Sequence, residues 1–381
     1  MVFIKVLSRG LLIAALSVAV HVSAQVSFVE GIEPLEGVII PKSASTNTSI
    51  STQSSISDNS KPISAPANTV NSSQNSISQN SKATNWPKGI VKFVVPFAPG
   101  GTLDQIARTI AEKMSPIIGQ PVIVENKSGA GGMIGSDSVA KSQPDGYTLL
   151  FTSSVHALIP SLNTKLSYDP IKDFRPVALL GISPLVIVTS SNSQFKSIAD
   201  LLTSVKQKKG VNFGSSGSGS LGHLSIIAFS NYQNIQSTHI PYKGEAPILS
   251  DLMDGKIDFA ATTVSSIIPF AEKGWLRPLA VMGEKRIQGL PEVPTLREAG
   301  LGLFQSPQWF GIFSPSSVPD ATIMQINQFV NAVLADPQIR KKLSENWEID
   351  IVGGTPDVLQ NWNSNQMKRW NKVIRDNKIE F

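Results

Sequence analysis

The 381-residue chain contains no cysteine. That excludes disulfides, thiol catalysis, cysteine zinc sites and a lipidated cysteine anchor. Histidine is scarce too, with four residues at 21, 156, 223 and 239, far apart in the sequence. Neither HExxH nor GxxxxGK[ST] occurs, so no motif supports zinc hydrolysis or P-loop phosphate chemistry. "GSSGSG" approaches a nucleophile elbow but fails GxSxG at its second glycine. No apolar run reaches the roughly 20 residues of a membrane span. Charged residues make up only 16% of the chain, and the net charge of +5 is scattered. Its one basic cluster, Lys206 to Lys209, reads as a solvated helix end, so nucleic acid is not an expected partner. What remains is 41% hydrophobic, enough for a large core that needs no disulfide.

The N-terminus follows a different pattern. Lys5 and Arg9 precede the apolar "GLLIAALSVAV", and the small-residue site "VSA" precedes Gln25. This order of charge, apolar run and small residues reads as a signal peptide over residues 1–24 and places the mature protein in the periplasm. Residues 25–85 are a low-complexity segment, largely Ser, Thr, Asn and Gln from Ser43 onward. Such a composition buries too little apolar surface to offset ordering entropy, so a disordered linker is expected there.

From Trp86 the chain alternates short apolar runs with helical periods. "IVKFVVPF" reads as a strand, and Leu103, Ile106, Ile110 and Met114 then recur at helical spacing. Strands are expected at "PVIVENK", "YTLLFTS", "PLVIVTS", "VNFGS", "STHIPY", "IDFAATT" and "LRPLAVMG". Helices fall between and after them, and this alternation implies an α/β fold with parallel sheet covered on both faces. The length suits two lobes.

Two strand-to-helix junctions share one design. "FAPGGT" opens the first helix and "GSSGSGS" opens a later one. A helix N-terminus offers unpaired N–H groups and about half a positive charge, and glycines let backbone approach a ligand. Each junction is a candidate anion cradle built without Lys or Arg. The second also contains Gly217-x-Gly219-x-x-Gly222, the dinucleotide spacing, with Glu245 near the place of a ribose-binding acid. Three facts weigh against NAD: the loop lies deep in the chain, Gly and Ser are dense enough there for a fortuitous match, and an exported protein seldom meets free NAD. No cofactor and no metal is expected. His223 opens the helix after the second cradle and reads as a neutral hydrogen-bonding group rather than a base. Asp104 favours the dipole of the first helix. A third glycine cluster at Ser128–Gly135 reads as a tight turn with close helix–sheet packing.

The ordered segments "VPFAPGGTLDQIAR", "VIVENKSGAGGMIGSDSVAKSQPDGYTLL", "YDPIKDFRPVALLG", "FGSSGSGSLGHL", "HIPYKGEAPILSDLMDGKIDF", "LPEVPTLREAG" and "QWFGIFSPSSVP" resemble the Bug family. These are the periplasmic solute receptors of tripartite tricarboxylate transporters. The resemblance runs from about Trp86 to Phe381, while the low-complexity segment departs from it. It implies a two-lobed type II periplasmic binding protein (Venus flytrap) fold. Residues 86–184 plus 312–381 would form one lobe and residues 185–311 the other, with crossovers near "GISPLV" and "WFGIFSP". It further implies a monomer that is not an enzyme, binds a small carboxylate and delivers it to the transporter's membrane components.

In that arrangement the two cradles face each other across the cleft, supplying Phe97, Ala98, Gly100, Gly101 and Thr102 from one side and Ser215, Ser216, Gly217, Ser218, Gly219 and Ser220 from the other. Strand ends add Thr152, Ser153, Ser154, His156, Tyr242, Lys243, Gly244 and Thr262 as candidates. His223 is a further ligand-contact candidate, and Asp104 could meet a ligand ammonium or hydroxyl. The alternatives are an exported ligand-dependent sensor or adaptor, an exported hydrolase using His223, and an NAD-binding enzyme.

Overall fold

The structure, a computed structural model, describes residues 86–162, 165–207 and 210–379. The expected signal peptide and polar linker lie outside the described residues, as do Lys208 and Lys209 of the basic cluster. Lys206 is exposed in the last turn of its helix.

The chain enters through β1 (Val91–Val95), which is buried along nearly its whole length, and turns into α1 (Thr102–Ile118). The buried stripe of α1 includes Leu103, Ile106, Ile110 and Met114, the residues whose spacing specifies a helix, and Gly119 ends it in the left-handed conformation. Next come β2 (Val122–Asn126), a 3-10 turn at Ala130–Gly132 and α2 (Met133–Ala140). β3 (Thr148–Ser153) runs into α3 (Val155–Leu162), a helix the apolar "HALI" conceals within what reads as a strand-end loop.

β4 (Phe174–Ser190) spans 17 residues and links the two halves of the molecule. From Phe174 to Pro184 it pairs with a later strand, β9 (Pro307–Pro315). From Leu185 to Ser190 its partners are β7 (Phe259–Thr263) and β8 (Leu276–Met282). Between them lie α4 (Ile198–Lys206), β5 (Asn212–Ser215), α5 (Leu221–Tyr232), β6 (Thr238–Pro241), α6 (Glu245–Met253) and α7 (Val264–Glu272). α4 begins in a reciprocal capping box between Ser197 and Asp200. The C-terminal part adds α8 (Asp320–Ala335), α9 (Pro337–Trp347), β10 (Asp350–Ile351) and α10 (Pro356–Asp376).

The sheet order is β2-β1-β3-β9-β4-β7-β5-β6, with β8 and β10 also on β4. It is a curled mixed sheet, and the parallel pairing expected from the strand–helix alternation holds within each half. β1, β2 and β3 pair parallel, as do β5, β6 and β7, but β4 and β9 run antiparallel to their neighbours. Both segments read as crossovers lie inside these two strands, so continuous sheet rather than loop connects the halves. Strand alternation alone cannot reveal this, because a parallel pair and a long return strand share the same apolar pattern.

Each half carries its own core. Phe93, Phe151, Ile106 and Met114 anchor one cluster with α8 and α9, and Phe213, Phe229, Phe259 and Ile187 anchor another. Each buried side chain of this size contributes roughly 1.5–3 kcal/mol. α10 serves both halves: Leu359 and Trp362 pack with Trp309 and Phe313, while Trp370 and Val373 pack with Phe229 and Phe304.

Candidate functional site

A cleft of about 290 Å³ opens between the two halves of the sheet, near the lower end of small-molecule pockets, roughly 300–1,000 Å³. One half contributes Phe97, Gly131, Ser153, Val155, Leu158 and Leu162, and the other contributes Leu185, Ser216, Ser218, Gly219, Ser220, Leu221, Gly222, Glu245, Ile248, Ala261, Thr262 and Thr263. Gln308, near the start of β9, completes the lining. Among the described residues, no Lys or Arg lines it.

The loop between β5 and α5 is built for close backbone approach. Gly217 and Gly219 sit at φ +129° and +78°, a region that side-chain-bearing residues rarely occupy. At Gly222 an added Cβ would collide with the Ala261 carbonyl oxygen, so this glycine lets α5 seat against β7. The dinucleotide-like spacing is therefore explained by loop turning and helix packing, without a cofactor. Ser220 caps α5 by accepting from the His223 N–H at 3.3 Å. The N–H groups of Leu221 and Gly222 remain in the unpaired first turn, on the cleft wall.

A layer of rings backs this loop. His223 Nδ1 accepts from the Gly219 N–H at 3.0 Å, which assigns its proton to Nε2. Its ring stacks on His239, with centroids 3.8 Å apart, and Phe213 stacks on His239 in turn. Burial, with His239 adding to it, pulls the His223 pKa down to about 4, and burial lowers that of His239 as well. His239 Nε2 lies 2.6 Å from Ser215 Oγ, which donates to the Gly217 carbonyl at 2.9 Å. Ser215 and His223 thus brace the loop from behind. Tyr242 joins them: its N–H donates to the Ser215 carbonyl and its hydroxyl to Asp251 at 2.8 Å. Burial and that carboxylate push the Tyr242 pKa up to about 12.

The first loop is held by Asp104. Its carboxylate accepts from the Gly100 N–H at 2.9 Å, from Arg108 Nε at 3.0 Å and from Asn126 Nδ2 at 2.9 Å. Asn126 also donates to the Phe97 carbonyl at 3.1 Å. Burial works to raise the Asp104 pKa, but these hydrogen bonds together outweigh it and hold the group below the ordinary carboxylate range. Asp104 is therefore occupied with the loop itself. Of this loop only Phe97 reaches the cleft lining; Ala98, Gly100 and Gly101 are exposed and Thr102 half-buried outside it.

The remaining candidates divide in the same way. Ser153 and Thr262 line the cleft, and the Thr262 hydroxyl is buried with no hydrogen-bond partner among the described residues. Thr152 is equally buried but does not reach the lining. Ser154 ties β3 to β9 by accepting from the Trp309 N–H at 2.9 Å. His156 is carried by α3 into the core, edge-on to Phe174 and against Phe313, and burial pulls its pKa to about 4. Lys243 is exposed and Gly244 begins α6 at φ +102°, both outside the lining. Among the described residues no group of three His, Asp or Glu is placed to hold a metal.

Sequence reasoning did not single out Gly131, Gln308 or the apolar wall of Val155, Leu158, Leu162, Leu185 and Ile248. In the sequence Glu245 reads only as a ribose partner. Gly244 before it, at a strand-to-helix junction like the other two, was the available signal. The third glycine cluster has both characters: Gly135 packs tightly on Pro96, and Gly131 reaches the cleft.

Comparison with known proteins agrees with this geometry. Residues 106–379 match the family described as tripartite tricarboxylate transporter family receptor. A protein from the tcbD-tcbE intergenic region of Pseudomonas sp. strain P51 is 36% identical over 291 residues, covering 76% of this chain and 86% of its own. Among solved structures, the periplasmic binding protein BugD superposes with a TM-score of 0.69 at 30% identity, covering 77% of this chain and 99% of its own. Rpa4515 of R. palustris, solved with adipate, gives 0.71 at 34% identity, covering 78% and 99%. With a cleft between two α/β halves, a glycine-serine loop on its wall and this ordered match along the chain, the protein belongs to the family of tripartite tricarboxylate transporter receptors, the solute-binding proteins of the Bug type.

Proposed function

We propose that the cleft captures a small carboxylate and that the protein carries it, as a periplasmic monomer, to the membrane components of a tripartite tricarboxylate transporter. The Thr262 hydroxyl carries this reading. It is buried, lines the cleft and has no partner among the described residues. A buried hydroxyl in that state calls for a bound acceptor or donor. Beside it the first turn of α5 and the Ser216 and Ser218 N–H groups, together with the loop's serine hydroxyls, suit an anion without a formal cation, while the N–H groups of Gly217, Gly219 and Ser220 are engaged within the protein. The adipate in the R. palustris relative supports the same ligand class.

Phe97, Ser153, Ser216, Ser218, Gly219, Ser220 and Thr262 are the proposed contacts, and Asp104, Ser215, His223 and Tyr242 hold their loops. Residues 86–184 with 312–381 would form one lobe and residues 185–311 the other, except that Pro307–Gly311 pair with β3 and the first part of β4 and so side with the first lobe. β4 exchanges β9 for β7 and β8 at Pro184–Leu185, which is the natural place for bending. Closure there would bury the carboxylate, strengthen its hydrogen bonds and create the form a transporter distinguishes from the empty one. The work is binding and hand-over, not turnover, and export by residues 1–24 brings the chain to its compartment.

Isothermal titration of the purified protein, refolded to remove carried-over ligand, tests this directly with mono-, di- and tricarboxylates and NAD. Saturable 1:1 binding of one carboxylate class is expected. Absence of binding to every carboxylate contradicts the reading.

A further inference from the structure

Among the described residues Glu245 is the one charged side chain lining the cleft. It begins α6, and its carboxylate is fixed by hydrogen bonds across to the start of α7. Oε2 accepts from Thr263 Oγ1 at 3.0 Å and from Ser266 Oγ, while among the described residues Oε1 accepts only from the Thr263 N–H, at 3.4 Å. An ionised carboxylate has about four acceptor sites, two on each oxygen. Oε2 is filled and Oε1 is not. The side chain is half-buried and held in one orientation, so it presents an open acceptor and a negative charge at a fixed place on the wall.

The rest of the lining has the opposite character. The Ser216–Ser220 loop and the first turn of α5 offer donors, and Leu158, Leu185 and Ile248 supply apolar surface. The cleft therefore combines donors for an anion with a single anionic acceptor in one lining. A ligand bearing both a carboxylate and a hydroxyl or ammonium satisfies both. A second carboxylate brought against Glu245 meets a like charge in a partly desolvated place and leaves Oε1 without a donor. Asp104, the other acid near the loops, cannot play this part, because Gly100, Arg108 and Asn126 already occupy its oxygens.

We propose that Glu245 is the selectivity residue of the cleft and that the ligand is a monocarboxylate carrying a hydrogen-bond donor, not a dicarboxylate. This rests on the reading of the cleft as a carboxylate site. A matched six-carbon series separates the two ideas: hexanoate, 6-hydroxyhexanoate, 6-aminohexanoate and adipate, titrated into the protein and into Glu245→Gln.

The protein is expected to bind the better of the two donor-bearing acids at least about tenfold more tightly than adipate, and Glu245→Gln is expected to narrow that ratio by about tenfold. The hydroxyl and ammonium arms show which donor is preferred; loss confined to the ammonium acid in Glu245→Gln marks charge, and loss of both marks the open acceptor. Melting of Glu245→Gln within a few degrees of the parent shows that the Thr263 and Ser266 bonds survive. Tighter binding of adipate by the parent, or an unchanged ratio in Glu245→Gln, overturns the proposal while leaving the carboxylate site standing. Binding of no member by either protein overturns the proposal, and the carboxylate reading then stands or falls on the wider panel of mono-, di- and tricarboxylates.

Discussion

The rings of His223 and His239 lie face to face, centroids 3.8 Å apart, directly behind the loop that forms one wall of the cleft. His223 Nδ1 accepts the Gly219 N–H, so the ring must be neutral for the loop to keep its shape. Its folded pKa is lowered to about 4, and a free histidine titrates near 6.5. The stabilising contribution is thus fully present above pH 6.5. It is lost as pH falls toward 4, because the unfolded chain takes up a proton that the folded chain refuses. Stability is expected to fall from pH 6.5 downward, whereas ligand affinity, a property of the folded protein, is expected to stay flat until the pH approaches 4 and the folded ring takes its proton. Melting temperature against pH for the parent and His223→Gln checks this, and the variant should show a shallower decline between pH 6.5 and 4.

Thr262→Val removes a hydroxyl that has no partner among the described residues and keeps the side chain's shape. Stability without ligand is expected to stay within about 0.5 kcal/mol of the parent or to rise. Affinity for the carboxylate is expected to drop about 3- to 10-fold. Urea unfolding and calorimetry on the same sample measure both. A stability loss with unchanged affinity would assign Thr262 to the core instead.

Asp104→Ala leaves the Gly100 N–H and the Asn126 amide without their acceptor and frees Arg108. Arg108 is half exposed, so the ion pair itself counts for little, and the orphaned loop groups dominate. A loss of about 2 kcal/mol in urea unfolding is expected. Because the Asp104 pKa is held below its ordinary value, this contribution is present above about pH 4 and disappears at lower pH. The parent and variant curves should converge there.

Two glycines of the loops differ sharply in what a methyl group would meet. At Gly222 it collides with the Ala261 carbonyl, whereas at Gly101 the nearest atom is 3.8 Å away and φ is −73°. Gly222→Ala is expected to cost about 1–3 kcal/mol by forcing α5 off β7. Gly101→Ala should stay within about 0.5 kcal/mol of the parent. Denaturant midpoints with unchanged m-values test the pair.

The strand and helix order was legible because apolar spacing records which face is buried, as in α1. The glycine-serine loop before α5 was legible for the same kind of reason, since only a few residue types tolerate its turns. What escaped was set by long-range pairing. β4 and β9 are antiparallel return strands, and nothing local in "GISPLV" or "WFGIFSP" shows that continuous strand runs through the segments read as crossovers. His156 read as a strand-end polar group, but the turn at Ser154 starts α3 and carries the ring into the core between Phe174 and Phe313. Asp104 read as a helix-dipole acid, and its chief partners proved to include Asn126, 22 residues on. Buried polar side chains look alike in a sequence whether they brace a loop or face a ligand, and only their partners tell them apart.

The most direct test of the central claim is the melting temperature of the refolded protein with its tightest carboxylate, with the matching primary amide and with NAD. A ligand at 100 times its dissociation constant stabilises by about 2.7 kcal/mol, which raises the melting temperature by several degrees. A rise with the acid and none with the amide or NAD is expected if the backbone dipoles of the cleft hold an anion. A rise with NAD and none with any carboxylate would contradict it.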